Sequence, residues 1–121
     1  MKLDHGYVRH ILIVFESLDG YPDTNQLYKK LTQFSPKEQF DYTFKKLIEA
    51  GFVKGINASG MTSFGYISCE ITWDGHAFLD NIKNDTIWKQ TTKTVFTKVG
   101  DASLQIISQV AAAIIAKQMG L

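Results

Sequence analysis

The spacing of apolar residues changes period twice along the chain, from helical to alternating after Gly51 and back to helical after Trp73, and those changes mark out its elements. Val8, Ile11, Leu12, Phe15 and Leu18 keep helical spacing behind Asp4, an N-cap residue type, until Asp19-Gly20 stops them; this predicts a first helix. Asp23 with Gln26 three residues on has the form of a capping box for a short second helix carrying Leu27 and Leu31 and ending near Phe34. Ser35-Pro36-Lys37-Glu38 reads as a capping box too, with proline at the first helical position. Phe40, Phe44, Leu47 and Ile48 then form a single apolar stripe before Gly51. A third helix over 35–50 is expected, with that stripe in the core.

After Gly51 the pattern alternates. Phe52-Val53-Lys54-Gly55-Ile56 reads as one strand, and Ile67, Cys69, Ile71 and Trp73 alternate with Ser68, Glu70 and Thr72 on another, which predicts those four inward. Between them Asn57 to Gly65 is rich in turn formers and too long for a tight turn. Thr72 is expected to cap a helix with Phe78, Leu79 and Ile82. Asn84 should cap a stripe of Ile87, Trp88, Val95, Phe96 and Val99, giving two helices or one kinked near Asn84. Asp101 or Ser103 should start a last helix, in which Leu104, Ile107, Ala111, Ile114 and Ile115 share a side that Ile106, Val110 and Ala113 widen. The order helix, helix, helix, strand, loop, strand, with a short second link, predicts an α+β, mainly helical fold. The fold expected is a winged helix-turn-helix, three helices plus a β-hairpin wing, with a C-terminal helical extension. Residues 1–83 would form the winged-helix part and 84–121 the extension packed on it, with 101–119 as a dimerisation helix in what is a single domain overall. Trp73 and Trp88 both fall on apolar phases and are expected to be structural.

Composition narrows the functions. The single cysteine, Cys69, excludes an internal disulfide and multi-cysteine zinc motifs, and its place on a strand's inward phase predicts an inert buried thiol. The N-terminus lacks the form of a signal peptide, and Leu104 to Ala116 is too short to span a bilayer, so a cytoplasmic protein without membrane contact is expected. Net charge is +1: residues 1–51 carry seven basic and seven acidic side chains, 52–73 one of each, and 74–121 five against four. With no basic segment, any nucleic-acid binding should be weak and salt-sensitive.

The residues resemble a small uncharacterised winged-helix family, a domain of unknown function found in bacteria and their phages. The resemblance lies in Met1-Lys2-Leu3-Asp4 with Val8-Arg9 and Ile11-Leu12, in Leu47-Ile48-Glu49-Ala50-Gly51, and most specifically in the run from Ile71-Thr72-Trp73-Asp74-Gly75-His76 to Ile82 with Asn84-Asp85-Thr86-Ile87-Trp88. It covers most of the chain. It implies the fold and a bacterial or phage setting, with no established activity.

Of the groups that carry chemistry, Asp74, His76 and Asp80 come nearest to an enzyme site, since His76 and Asp80 would share a helix face. A helix start with acids near its positive end explains them as well. There is no glycine-rich phosphate loop, nucleophile elbow or metal-ligand spacing, so no enzyme, cofactor or metal is expected. The third helix, with its stripe inward, turns Gln39, Tyr42, Lys45 and Lys46 outward; glutamine can pair with adenine and lysine can donate to guanine or phosphate. Lys54 is the one cation near the wing. These five are the candidate contacts of a double-stranded DNA-binding transcriptional regulator, with a homodimer through the C-terminal helix bringing two third helices together. The alternative is a non-enzymatic protein-interaction or assembly module that does not bind DNA, its partner held at a wing made apolar by Met61, Phe64 and Tyr66.

Overall fold

The computed structural model describes residues 1–33, 35–100 and 102–121. Among them are six helices and one two-stranded antiparallel hairpin, so the mainly helical α+β class stands. The chain divides into two compact units, Met1–His76 and Ala77–Leu121.

The first unit contains α1 (His5–Ser17), α2 (Thr24–Lys30), α3 (Lys37–Glu49), β1 (Val53–Asn57), β2 (Tyr66–Ile71) and the first turn of α4 (Trp73–Ile82). Two of its caps form as the sequence predicts. Asp4 accepts from the Tyr7 amide at 3.0 Å, and Asp23 and Gln26 make a reciprocal box at 2.7 and 2.9 Å. The core consists of Tyr7, Val8, Ile11, Leu12 and Phe15 of α1, Leu27 of α2, Phe40, Phe44 and Leu47 of α3, and Val53 and Cys69 of the hairpin.

The third cap differs from expectation. Pro36 is the N-cap of α3 and offers no side-chain bond, while Ser35, predicted to cap, is buried. Its hydroxyl is hydrogen-bonded to the Tyr7 hydroxyl, and its carbonyl accepts from the Tyr28 hydroxyl at 2.5 Å. The buried Tyr7 and the half-buried Tyr28 take Ser35 as their common partner, and burial raises the Tyr7 pKa above its ordinary value. Helix α2 ends at Lys30, with Leu31 as its C-cap; the predicted end near Phe34 lies outside the described residues.

The hairpin also departs from the predicted phase. Val53 pairs with Ile71, Lys54 with Glu70, Ile56 with Ile67 and Asn57 with Tyr66, so Gly55 faces both Ser68 and Cys69 across a β-bulge. Ser68 takes up the extra residue with a left-handed φ of 51°. A bulge reverses the alternation beyond it: Cys69 stays buried, Ile67 is turned to solvent beside Ile56, and Tyr66 turns inward. The strand also ends earlier than its apolar phase suggests. Trp73 opens α4 and is 87% exposed, so it is not a core residue as expected.

Thr72 caps α4, accepting from the Gly75 amide at 3.0 Å while donating to the Gly51 carbonyl at 2.5 Å. At Gly75 a Cβ would stand 2.0 Å from the Phe52 carbonyl oxygen, so only glycine lets the first turn of α4 close onto the root of the hairpin.

The second unit holds the rest of α4, then α5 (Asp85–Lys98) and α6 (Leu104–Gln118). Helices α4 and α5 are separate, and Asn84 caps α5 by accepting from the Ile87 amide at 3.0 Å. Ser103 caps α6; Asp101, the other predicted start, lies outside the described residues. The two last helices pack antiparallel, Gln118 near the end of α6 donating to Gln90 in the first half of α5 at 3.2 Å. Ile87, Thr91 and Val95 on α5 and Ile107 and Ala111 on α6, each spaced by four, are the buried positions, and Trp88 is half-buried. On α6 the buried seam is therefore narrower than the apolar pattern.

Candidate nucleic-acid interface

The outward side of α3 carries the predicted residues in order along 13 helical residues. Lys45 is exposed, and Gln39, Tyr42 and Lys46 are half-buried. Helical spacing of four brings Tyr42 and Lys46 together, with the ammonium 5.5 Å from the ring centroid. Lys46 also donates to Glu49 Oε2 at 2.9 Å. That bond raises the lysine pKa and lowers that of the glutamate. Lys46 thus enters any contact already partnered, and its release costs little because the pair is in water.

Lys54 stands apart from these four. It lies on the outward face of the hairpin, directly across from Glu70 and 2.8 Å from its carboxylate, a hydrogen bond that raises the lysine pKa. Of the three predicted lysines, two are held by carboxylates.

The loop over 58–65 is closed by its own hydrogen bonds. The Ala58 amide donates to the Gly65 carbonyl at 2.9 Å, the Gly60 amide to the Ser63 carbonyl at 3.0 Å and the Gly65 amide to Ser59 Oγ at 3.1 Å. Its apolar residues divide. Met61 is fully exposed, whereas Phe64, with Tyr66 at the start of β2, folds back on α3: their ring centroids lie 6.3 and 5.9 Å from that of Phe44. Tyr66 is also tied to α2, its amide donating to Thr24 Oγ1 at 3.1 Å. The expected apolar wing surface is therefore reduced at Phe64 and Tyr66 and moved to Met61 and the exposed Ile56–Ile67 pair.

Sequence reasoning missed Lys37. It forms an ion pair with Asp41, and its ammonium lies 5.7, 5.4 and 5.8 Å from the centroids of Tyr28, Phe40 and Phe64. The i, i+4 spacing of Lys37 and Asp41 was readable; the rings from α2 and the loop were not, because only the tertiary fold brings them there. His10 was missed as well. Its Nε2 accepts from the amides of Thr32 at 3.2 Å and Gln33 at 3.4 Å, fastening the link between α2 and α3 to α1, and burial lowers its pKa.

The residues that looked most enzyme-like are separately engaged. His76 Nδ1 lies 3.7 Å from Glu16 Oε2, and Asp80 pairs with Lys83 at 3.3 Å. Among the described residues no three histidine, cysteine or acidic side chains gather to hold a metal, and no helix is long and apolar enough to cross a membrane. Cys69 is buried and its thiol is pushed up to about 11 by burial.

These features define a small mainly helical α+β protein with a hairpin loop docked on α3 through Phe44. The chain belongs to the family described as "Hypothetical protein (DUF2513)", which matches residues 2–101. It is also similar to an uncharacterized protein of Haemophilus influenzae, 35% identical over 119 residues that cover 98% of this chain and 99% of that protein. No solved structure matches it.

Proposed function

We propose that this is a winged-helix DNA-binding protein of bacterial or phage origin, a cytoplasmic transcriptional regulator and not an enzyme, with α3 as its recognition helix and the hairpin as its wing. The observation that carries the reading is the docking of loop 58–65 on α3 through Phe44, Phe64 and Tyr66, which fastens a wing to the helix whose other side carries Gln39, Tyr42, Lys45 and Lys46. The short link from Lys30 to Lys37 supports it further. Gln39 and Lys45 would read base edges, Tyr42 and Lys46 would contact phosphate or bases, and Lys54 would reach the backbone after leaving Glu70. With so few lysines, binding is weak and its salt dependence corresponds to few phosphates.

A homodimer through α6 belongs to the same reading. Ile106 remains 44% exposed and Ala112 and Ala113 are exposed, which leaves a low-polarity face for a second copy and would join two α3 helices in one molecule. Sedimentation of the full chain at micromolar concentration tests this part, and a monomer there removes it.

The test of DNA binding is enrichment of a random duplex library at low salt, followed by anisotropy on the enriched sequence. The reading expects an enriched motif, with binding abolished in the Lys45→Ala/Lys46→Ala double variant. Either no enrichment or binding indifferent to that change overturns the α3 assignment. The alternative, a protein-interaction or assembly module, is favoured by one observation: Ile56 and Ile67, paired across the hairpin, are 60% and 45% exposed, and Met61 in the loop that joins their strands is fully exposed. It predicts that Ile56→Lys abolishes partner association while nothing is enriched from the library.

A further inference from the structure

The Lys37 ammonium is met by groups from three parts of the first unit: Tyr28 of α2, Phe40 and Asp41 of α3, and Phe64 of the hairpin loop. A surface lysine ordinarily extends into water. Here Asp41, one helical turn along, draws the side chain back toward the rings. Each ring offers the negative face of its quadrupole, and a cation within about 6 Å of a centroid is attracted to it. Three rings at 5.4 to 5.8 Å satisfy that condition together.

We propose that Lys37 is the positioning residue of the hairpin loop: its ammonium, steadied by Asp41, latches Phe64 to α2 and α3 and so fixes residues 58–65 relative to α3. The other attachments do not replace it. The hydrogen bonds of Ala58, Gly60 and Gly65 close the loop on itself, and the Tyr66–Thr24 bond holds only its exit. Phe64 is the ring by which the loop itself reaches the helices, and it meets Phe44, Tyr66 and the Lys37 ammonium. Lys37 precedes the four predicted contact residues of α3 and need touch no partner to matter. By fixing where the loop stands, it decides whether a partner meets one preset surface or two independent ones. The latch is a property of the protein alone; only its consequence for duplex binding rests on the reading above.

The test is made on the full chain without any partner. In the wild type, the ring currents of three aromatic faces should move the Lys37 ε-methylene protons upfield of those of every other lysine. Lys37→Met keeps the apolar stem and removes the cation. It should make amide exchange at Gly60 and Gly65 about three- to tenfold faster while leaving Val95 in α5 unchanged. Lys37→Arg, which keeps a cation able to stack on rings, should restore the slow exchange. In a Phe64→Leu background the Lys37→Met change should have no further effect on the loop, as a double-mutant cycle requires of a direct pair. Ordinary ε-proton shifts in the wild type, which need no variant to fold, would overturn the latch. So would unchanged exchange in Lys37→Met, or arginine behaving like methionine. None of these outcomes depends on DNA, so the latch and the DNA reading can fail separately. If both hold, Lys37→Met weakens duplex binding while Lys45 and Lys46 remain in place.

Discussion

Helix α3 and the hairpin that follows it meet the same core, yet the sequence foretold one far better than the other. In α3 the stripe of Phe40, Phe44 and Leu47 is buried as its spacing requires, and only Ile48 at its edge is half-exposed. The equally regular run of Ile67, Cys69 and Ile71 in β2 with Trp73 just beyond it breaks at both ends, with Ile67 and Trp73 turned to water. The difference lies in how each periodicity tolerates an irregularity. A helical stripe spans an arc wide enough that a small local change leaves its residues on the same side. A strand has two faces, and one extra residue exchanges them. Nothing in Ile67-Ser68-Cys69 announces a bulge; the nearest sign is Gly55 on the opposite strand, where a Cβ would come 2.9 Å from Cys69 Sγ and 3.1 Å from the Ile67 carbonyl oxygen.

The largest test of this contrast is Phe44→Ala, which empties the centre of the helical stripe and should cost about 3–5 kcal/mol in denaturant unfolding. Next comes Gly55→Val, which pushes a side chain into the facing strand at the bulge and should cost about 1–3 kcal/mol. A neutral result would mean that the strands are not in the register given by the Lys54–Glu70 and Ile56–Ile67 pairs. Ser68→Gly acts in the other direction: relieving a non-glycine residue at φ 51° should stabilise the protein by about 0.5–1 kcal/mol, read as a higher midpoint.

A smaller effect belongs to His10, on the helical side of the comparison. Its Nε2 must be unprotonated to accept from Thr32 and Gln33, and burial lowers its pKa below the ordinary 6.5. A histidine with a depressed folded-state pKa contributes stability that is complete above 6.5 and is lost as pH falls through the folded value. The wild type should therefore lose stability on acidification more steeply than His10→Gln, in paired unfolding curves on either side of pH 6.5. The smallest expected change is Trp73→Ala, within about 0.5 kcal/mol, as for other exposed positions. A cost as large as that of Phe44→Ala would mean that Trp73 is packed in the core and not turned to water.

The same division runs through the rest of the chain. Caps made within four residues were legible: Asp4, Asp23 with Gln26, Thr72, Asn84 and Ser103 all serve as their local patterns suggest. Ser35 has the same pattern and does something else, because Tyr7, 28 positions before it in sequence, competes for its hydroxyl and no local rule contains that tyrosine. Of the candidate interface, the outward side of α3 followed from the helical period alone. The capture of Lys54 by Glu70 depended on register, and the ring cluster around Lys37 depended on where loop 58–65 folds.

The lone cysteine turns the bulged hairpin into its own reporter. Cys69 Sγ is sheltered against Gly55, and with its thiol held up to about 11 it is almost wholly unreactive while the strand is in place. A thiol reagent added to the native protein can therefore react only as often as β2 lifts away from the core. The pace of labelling becomes a clock for that opening, built into the natural chain with no dye or engineered probe. Run on the bulge variants, this clock should slow for Ser68→Gly and quicken for Gly55→Val.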